Sequence, residues 1–311
     1  MYSNTVKPKI VVICGPTALG KTSIAIDLAR AFSGEIVGAD SMQIYRYMDI
    51  GTAKPTPDER SCVTHHMIDI VNPDEHFDAK QFAKMAQEKI MKLYIRGVTP
   101  FVVGGTGLYI KALVQGLFKA GPADPHVRER LKKEARIYGS DFLHKRLSQH
   151  DPDTAKRIHP KDTYRIIRAL EVHELTGKTI TELHREHMFS DKPFRVLKIG
   201  LHMDRELMYD RIDRRVDAMI KAGFIDEVKG LLDNGYPADL KSMQSIGYRH
   251  LVDFIQGRCP WDETLRTLKR DTKRYAKRQM TWFKVDSEII WTEPGQLSNI
   301  SRKINKFLQA A

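Results

Sequence analysis

Short runs with strand character alternate with amphipathic segments along much of the chain. The strand-like runs lie at residues 10–14, 36–39, 99–103, 195–203 and 288–291, and most are too short for a helix. Residues 23–29, 79–96, 205–222, 263–284 and 296–308 instead carry apolar positions at helical spacing. Strands that alternate with helices indicate a mostly parallel sheet covered by helices. The pattern therefore predicts an α/β core.

A polar, helical segment interrupts this alternation. Residues 121–125 are rich in glycine and proline, and the stretch that follows is charged and lacks any strand-like run. Helices are expected at residues 127–137, 141–149, 153–157, 163–175 and 179–187. Because strand character returns at residue 195, we expect an inserted all-helical domain at residues 118–195. The two halves of the core are then residues 1–117 and 196–311.

The first loop carries a phosphate-binding motif of the form G-x-x-x-x-G-K-[ST]. It lies between the first strand and the first helix, where backbone N–H groups, a helix N-terminus and a lysine converge on an anion. We expect it to bind a diphosphate or nucleotide and its last residue to place a hydroxyl on Mg²⁺. A glycine-rich turn without a ligand is the alternative. The motif residues are Gly15, Pro16, Thr17, Ala18, Leu19, Gly20, Lys21 and Thr22.

This motif predicts a P-loop NTPase-like parallel sheet flanked by helices. It does not distinguish a kinase from a transferase whose leaving group is diphosphate. Asp40 follows the second strand, and ligands of open α/β sheets bind beyond the carboxyl ends of strands, so Asp40 is a candidate catalytic carboxylate. A helix N-cap is the alternative role. Thr106 lies in a second glycine turn, which can bind an anion or simply connect a strand to a helix.

The charge balance favours an acidic partner. Lysine and arginine number 51 against 39 aspartate and glutamate residues, a net charge of +12, so nucleic acid is expected ahead of a basic protein without such a partner. Arg165 and Arg168 lie one helical turn apart and suit a phosphate backbone or a solvated face. Arg211 and Arg215 likewise share a face, where they suit a diphosphate or ion pairs with Asp213 or Asp217. In the 263–284 helix, aromatic residues interleave with cations, as in single-strand binding surfaces: Lys269, Arg270, Lys273, Arg274, Tyr275, Lys277, Arg278, Trp282 and Phe283.

Cysteine usage and hydropathy suggest the compartment. The three cysteines form no C-x-x-C pair, which favours a reduced, cytoplasmic setting, and Cys14 is expected to be buried. The first nine residues lack an apolar signal-peptide core, and no run is long enough to cross a bilayer. Cys62, His65 and His66 lack a fourth spaced ligand and are not expected to bind a metal.

Several motifs together resemble the tRNA isopentenyltransferases, the dimethylallyltransferases that act on tRNA. Since eukaryotic relatives append a zinc-finger tail that this sequence lacks, it is similar to the bacterial form. The resemblance extends over nearly the whole chain, and the combination is far more specific than any one part. It rests on residues 15–22, 40–45, 51–55, 103–109, 168–172, 246–248 and 276–283.

The resemblance implies transfer of a dimethylallyl group from dimethylallyl diphosphate to N6 of the adenosine 3′-adjacent to a tRNA anticodon. Asp40 would take the proton of the amine, Thr106 would align it, and Lys21, Arg211 and Arg215 would hold the diphosphate with Mg²⁺ on Thr22. The inserted domain would bind the anticodon stem-loop of a monomeric enzyme. The tRNA-contacting positions would be Asp40, Ser41, Met42, Gln43, Thr106, Arg128, Tyr164, Arg165, Ile166, Ile167 and Arg168. Independently of the resemblance, the composition of the basic helix adds Lys277 and Arg278.

Two other functions fit parts of the sequence. A P-loop kinase that uses ATP would explain the phosphate loop and Asp40, but it leaves the helical insert and the basic helix without a role. A nucleotide-gated RNA-binding module would explain the charge but not a carboxylate opposite the phosphates.

Overall fold

The computed structural model describes residues 7–118, 124–188 and 191–310. The chain divides into two compact units, one formed by residues up to Val114 with those from Pro193 onward, the other by Gln115–Lys192. Both boundaries fall a few residues before the expected ones at 118 and 195. Most of the expected linker, residues 121–123, lies outside the described residues.

The first unit is built on a six-stranded sheet in which every pairing is parallel. The spatial order is β3-β2-β4-β1-β5-β6. The two central strands pair from Val11 with Phe101 to Cys14 with Gly104. The strands are β1 (Lys9–Cys14), β2 (Gly34–Gly38), β3 (His65–His66), β4 (Thr99–Gly104), β5 (Arg195–Leu201) and β6 (Ile289–Thr292).

Four helices precede the insertion. Helix α1 packs on the sheet through residues that are almost fully buried, among them Ile24 and Leu28. Helix α3 begins at Asp78, whose carboxylate accepts hydrogen bonds from the backbone N–H groups of Lys80 and Gln81. The helices are α1 (Lys21–Ala31), α2 (Pro57–Cys62), α3 (Ala79–Ile95) and α4 (Gly107–Gln115).

The second unit consists, in its described residues, of five helices around a small apolar core. They follow the expected pattern closely because each begins at a residue that caps it or breaks the preceding helix, such as Asp124 or Asp162. The helices are α5 (Pro125–Tyr138), α6 (Ser140–His150), α7 (Pro152–Arg157), α8 (Thr163–Thr176) and α9 (Ile180–His187).

Five more helices complete the first unit: α10 (Arg205–Lys221), α11 (Phe224–Asp233), α12 (Tyr248–Ile255), α13 (Trp261–Lys284) and α14 (Leu297–Gln309). The predicted parallel sheet flanked by helices is therefore confirmed. Three elements were not predicted from the sequence pattern: β3, α2 and α11. Strand β3 has two residues and helix α2 has six, which is too short for a periodic signal. Helix α11 follows α10 almost without a break.

Central strands of the sheet are buried on both faces. Ile10 to Ile13 have no exposed surface, as expected of parallel strands covered by helices on each side. Cys14 is also buried, as predicted, and its desolvation raises the pKa of the thiol to about 12. Within the described ranges, every helix is too short or too polar to cross a membrane.

Two positions expected to contact tRNA lie inside the second unit. Ile166 is fully buried and Ile167 is 5% exposed, and both pack in the apolar core formed by α5 to α8. Their side chains therefore hold the helices together and are not available to a ligand. Tyr164, on the same helix, is 71% exposed.

Replacement of Ile166 by alanine should destabilise the protein by about 2–5 kcal/mol, because the cavity cannot close fully in so small a core. Denaturant unfolding followed by circular dichroism measures this loss. The exposed neighbour supplies the control, since Tyr164→Ala should change the free energy of unfolding by less than about 0.5 kcal/mol. Equal stability of the two variants would contradict the assigned packing.

Candidate functional site

The phosphate loop has the backbone geometry that its sequence requires. Gly15 has φ 135°, and a Cβ there would lie 2.7 Å from the carbonyl oxygen of Leu201 on the neighbouring strand. Gly20 has φ 76° and forms the N-cap of α1. Only glycine adopts these conformations at low cost, so both positions are fixed by the turn. The loop thereby directs the N-terminus of α1 towards a cavity.

That cavity has a volume of about 690 Å³ and lies in the first unit at the carboxyl end of the sheet. The phosphate loop contributes Thr17, Ala18, Gly20, Lys21 and Thr22 to its wall. The loop after β2 adds Asp40, Ser41, Met42 and Gln43. The predicted phosphate-binding and catalytic segments thus meet in one space, as the strand-end argument predicts.

Lys21 is a cation that lines this cavity, and no carboxylate of a described residue bonds to it. Its ammonium donates a hydrogen bond to the carbonyl oxygen of Pro16 at 2.7 Å. Desolvation, together with the nearby Arg215 guanidinium, lowers the pKa of Lys21 to about 8, and the charge of Asp40 opposes that shift. Removing two cations from water is costly, so the site favours an anion that restores their solvation.

Arg215 is the second cation of the cavity. It lies on α10 and lines the cavity wall. Burial lowers the pKa of its guanidinium, and the charge of Asp40 opposes that shift. Arg211, one turn earlier, is exposed and does not line the cavity. The two aspartates that were alternative partners of these arginines pair with lysines instead. Asp213 binds Lys273 at 2.6 Å, and Asp217 binds Lys269 at 2.7 Å.

Asp40 and Thr106 are linked by hydrogen bonds from the backbone of Ser41 and Met42. One Asp40 carboxylate oxygen accepts a hydrogen bond from the Met42 N–H at 2.8 Å, which forms a turn and not a helix cap. The hydroxyl oxygen of Thr106 accepts from the Ser41 N–H at 2.9 Å. Gly104 permits this arrangement, because a Cβ there would lie 2.1 Å from the carbonyl oxygen of Ala39. Thr106 itself does not line the cavity.

Gln279 is a site residue to which the sequence analysis assigned no role. Its side-chain oxygen accepts from the Thr17 N–H at 2.9 Å, and its amide nitrogen donates to the Gly105 carbonyl oxygen at 2.9 Å. It therefore ties the phosphate loop to the second glycine turn from helix α13. Tyr275 lies one turn earlier on the same face, with its hydroxyl near Thr106 and Gln279, and burial raises the pKa of this phenol. The four-residue spacing of Tyr275 and Gln279 was the signal in the sequence that the two side chains share one face of the helix.

Glu227 holds another part of the wall. Its carboxylate accepts hydrogen bonds from the backbone N–H groups of Asp49, Ile50 and Gly51 at 2.9, 2.6 and 3.0 Å. It also accepts from the Tyr248 hydroxyl at 2.6 Å. One partly buried carboxylate thus fixes the start of the loop at residues 51–55, which lines the cavity. The same side chain thereby links the sequence segments at 51–55 and 246–248.

Helix α13 is less available to RNA than its composition suggests. Phe283 is buried, Tyr275 lines the cavity, and only Trp282 of the three aromatic residues is exposed, at 45%. Lys277 is exposed, and Arg278 lines the cavity. The other four cations pair with carboxylates: Lys269–Asp217, Arg270–Asp271, Lys273–Asp213 and Arg274–Asp271.

The donor set of the cavity fits Mg²⁺ that arrives with a polyphosphate. Thr22 and Asp40 both line the wall, and Mg²⁺ commonly takes one or two protein oxygens with waters and substrate phosphates. No cluster of three His, Cys, Asp or Glu side chains able to hold a metal occurs in the described ranges. His66, one of the three residues that are not expected to bind a metal, contacts the carboxylate of Glu35 at 2.6 Å. Magnesium on Thr22 stays a prediction.

Comparison with known families identifies the chain. The family described as IPP transferase matches residues 43–286, which is most of the sequence. The chain belongs to the IPP transferase family. The match begins just after the phosphate loop and Asp40, so these two parts of the site are identified independently of it.

Individual relatives agree with the family and confirm the resemblance inferred from the motifs. The chain is 52% identical over 304 residues to the tRNA dimethylallyltransferase of Desulfosudis oleivorans, with 97% of each chain covered. It is 50% identical to the tRNA dimethylallyltransferase of Desulfatibacillum aliphaticivorans, covering 97% of this chain and 99% of the relative.

Solved structures of similar proteins have the same fold. The full-length tRNA isopentenylpyrophosphate transferase of Bacillus halodurans matches with a TM-score of 0.73 and 42% identity, covering 97% of both chains. A eukaryotic dimethylallyltransferase acting on tRNA matches with a TM-score of 0.80 and 28% identity, covering 97% of this chain and 79% of the other.

The affinity for inorganic diphosphate should fall as the pH rises above about 8, because free Lys21 then loses the proton that the complex needs. The affinity is fully present below that pH and declines by up to about tenfold per pH unit above it. Calorimetric titrations between about pH 6.5 and about pH 9.5 measure this dependence. Lys21→Arg is the matched control, since its guanidinium keeps its proton and should remove the decline.

Gln279→Leu should weaken diphosphate binding by about tenfold and lower the free energy of unfolding by about 1–3 kcal/mol, because two buried backbone groups lose their partners. Titration of diphosphate and thermal unfolding give the two values. Thr281→Val on the exposed side of the same helix is the control and should alter neither. Unchanged diphosphate affinity in Gln279→Leu would separate this residue from the phosphate loop.

Proposed function

We propose that this protein transfers a dimethylallyl group from dimethylallyl diphosphate to N6 of the adenosine 3′-adjacent to a tRNA anticodon, with release of diphosphate. The observation that carries the proposal is one cavity lined by a phosphate loop, by two desolvated cations and by Asp40, the carboxylate whose charge acts on both cations. Membership of the IPP transferase family and the names of the relatives support the same activity.

The leaving group accounts for the cations. As the allylic carbon–oxygen bond breaks, negative charge develops on the diphosphate and positive charge on the five-carbon group. The α1 N-terminus, Lys21 and Arg215 stabilise that negative charge where little water competes. When bound, Mg²⁺ would be held by Thr22 and the phosphates, and it would supply further charge neutralisation.

The amine accounts for Asp40. The exocyclic nitrogen forms a bond to the allylic carbon while the bond from that carbon to the diphosphate oxygen breaks, and the nitrogen must then lose one proton. Asp40 is the carboxylate in the cavity wall that faces the cations and can take this proton. Thr106 positions the segment that follows Asp40 through the Ser41 N–H, since Thr106 does not line the cavity itself.

The RNA must present an unstacked base. An adenine inside a stacked loop cannot place N6 in an enclosed cavity, so the base has to flip out, at a cost that protein contacts offset. In the second unit, Tyr164 and Arg165 are exposed, and Arg128 and Arg168 share the buried carboxylate of Glu171 at 2.8 and 2.7 Å. These side chains offer one stacking surface and three cations to an anticodon stem-loop.

Labelled substrates test the activity. Incubation with labelled dimethylallyl diphosphate and unmodified tRNA should move label to the RNA. The kinase alternative requires instead that phosphate move from labelled ATP to a small alcohol, and it assigns no role to the second unit. Label that stays on the donor in the presence of tRNA would contradict the proposed activity.

Asp40→Asn should lower the rate of transfer by at least about 10³-fold, because an amide of the same shape cannot accept the proton. Affinity for unmodified tRNA should stay within about tenfold of the wild type, since one contact among many is altered. Single-turnover rates and filter-binding affinities provide the two measurements. Asp58→Asn, an exposed aspartate in α2, is the matched control. Full turnover by Asp40→Asn would remove the residue from the role of base.

A further inference from the structure

The first unit contains a second cavity, of about 430 Å³, outside the site described above. It is formed by the end of β5, the first turns of α10, the last turns of α13 and strand β6. Its volume falls in the range of ligand-binding clefts. No residue of this cavity has a role in the proposed reaction except Lys277, which was expected on the RNA path.

The two cavities lie on opposite faces of α13. Tyr275 and Gln279 line or border the catalytic cavity, whereas Lys277, Met280 and Lys284 line the second. At 100° per residue these two sets point about half a turn apart. The cavities are therefore separated by about the thickness of one helix, 10–12 Å with its side chains.

Aromatic residues and cations dominate the lining of the second cavity. Tyr209 and Trp291 supply two rings, and Arg205, Lys277 and Lys284 supply three positive charges. The remaining lining residues are methionines and His202, and no carboxylate occurs among the described residues that line it. This combination is unlike the rest of α13, whose preceding four cations are paired with aspartates.

The rings are held in defined positions. A Cβ on Gly200 would lie 2.8 Å from the Trp291 ring, so glycine at this point lets the indole pack directly against β5. His202 contacts Trp291 edge-on, with ring centroids 6.3 Å apart. Arg205 stacks over Tyr209 at 5.1 Å and donates to its hydroxyl at 3.0 Å. Because the rings are already ordered, a flat ligand loses little of its binding energy in fixing them.

We propose that this second cavity binds an unstacked nucleotide of the RNA substrate, other than the adenosine that is modified. The base stacks on Trp291 and the Tyr209–Arg205 pair, and its phosphate lies near Lys277 and Lys284. Cations with no carboxylate among the described lining residues select an anion, and flat aromatic surfaces select a base. The inference rests on the proposed function, since the catalytic cavity must receive a neighbouring nucleotide from the same loop.

Two variants test the stacking and the charge separately. Trp291→Leu should weaken binding of unmodified tRNA by about tenfold, the typical effect of losing one stacked base. Lys284→Ala removes an exposed charge that the fold does not need, and it should reduce the slope of log affinity against log salt by about 0.7. The KM for dimethylallyl diphosphate should be unchanged in both.

Matched controls lie outside both cavities. Trp261→Leu removes an indole that packs on Phe254 instead, and Lys306→Ala removes an exposed lysine on α14. Neither should alter tRNA affinity or its salt slope. Folded variants of Trp291 and Lys284 that bind tRNA like the wild type would overturn the proposal, and so would a raised KM for the isoprenoid with unchanged tRNA affinity.

Photocrosslinking identifies the occupant. Benzoylphenylalanine in place of Trp291 should crosslink to unmodified tRNA at a nucleotide near the modified adenosine but distinct from it. A crosslink to ATP in preference to tRNA, or no crosslink to RNA, contradicts the proposal. The proposed function fails separately, because in that case the wild type itself transfers no label to tRNA.

Discussion

The structure depends on a space in which cations are desolvated before any anion arrives. Lys21 and Arg215 face the cavity with only the Asp40 charge to offset their burial, and both have lowered pKa values. Such an arrangement is unfavourable by itself, because buried cations lose the solvation that water gives them. An incoming diphosphate replaces the missing solvation, so the energy that the fold gives up here becomes selectivity for that ligand.

Helix α13 connects this space to the rest of the first unit. One face carries Tyr275 and Gln279 and joins the two glycine turns, and the other face carries exposed cations. A movement of the helix would therefore disturb the phosphate loop and the second cavity together. Ion pairs to α10, from Lys269 and Lys273, oppose such a movement. Lys269 and Lys273 therefore have a structural role, whereas composition alone assigned them to RNA binding.

The parts that could be predicted were those coded by neighbours in sequence. The phosphate loop is eight consecutive residues, and Asp40 follows directly from the end of a strand, so local rules located both. Gln279 bonds to Thr17 across 262 positions, and its four-residue spacing from Tyr275 indicates a shared helix face but not this distant partner. The burial of the Ile166 side chain was not predicted, because a helix with arginines on one side needs an apolar side as well, and only packing reveals which residues form it.

A buried carboxylate organises the second unit in a way that net charge does not reveal. Glu171 has no exposed surface, holds Arg128 and Arg168 on one oxygen, and leaves its other oxygen without a hydrogen bond from any described residue. Its burial is tolerable only while both guanidiniums stay in place. The three groups together carry one net positive charge in fixed positions. An anion that approaches this surface thus meets a weaker attraction than two free arginines would give, but it loses less entropy in ordering them.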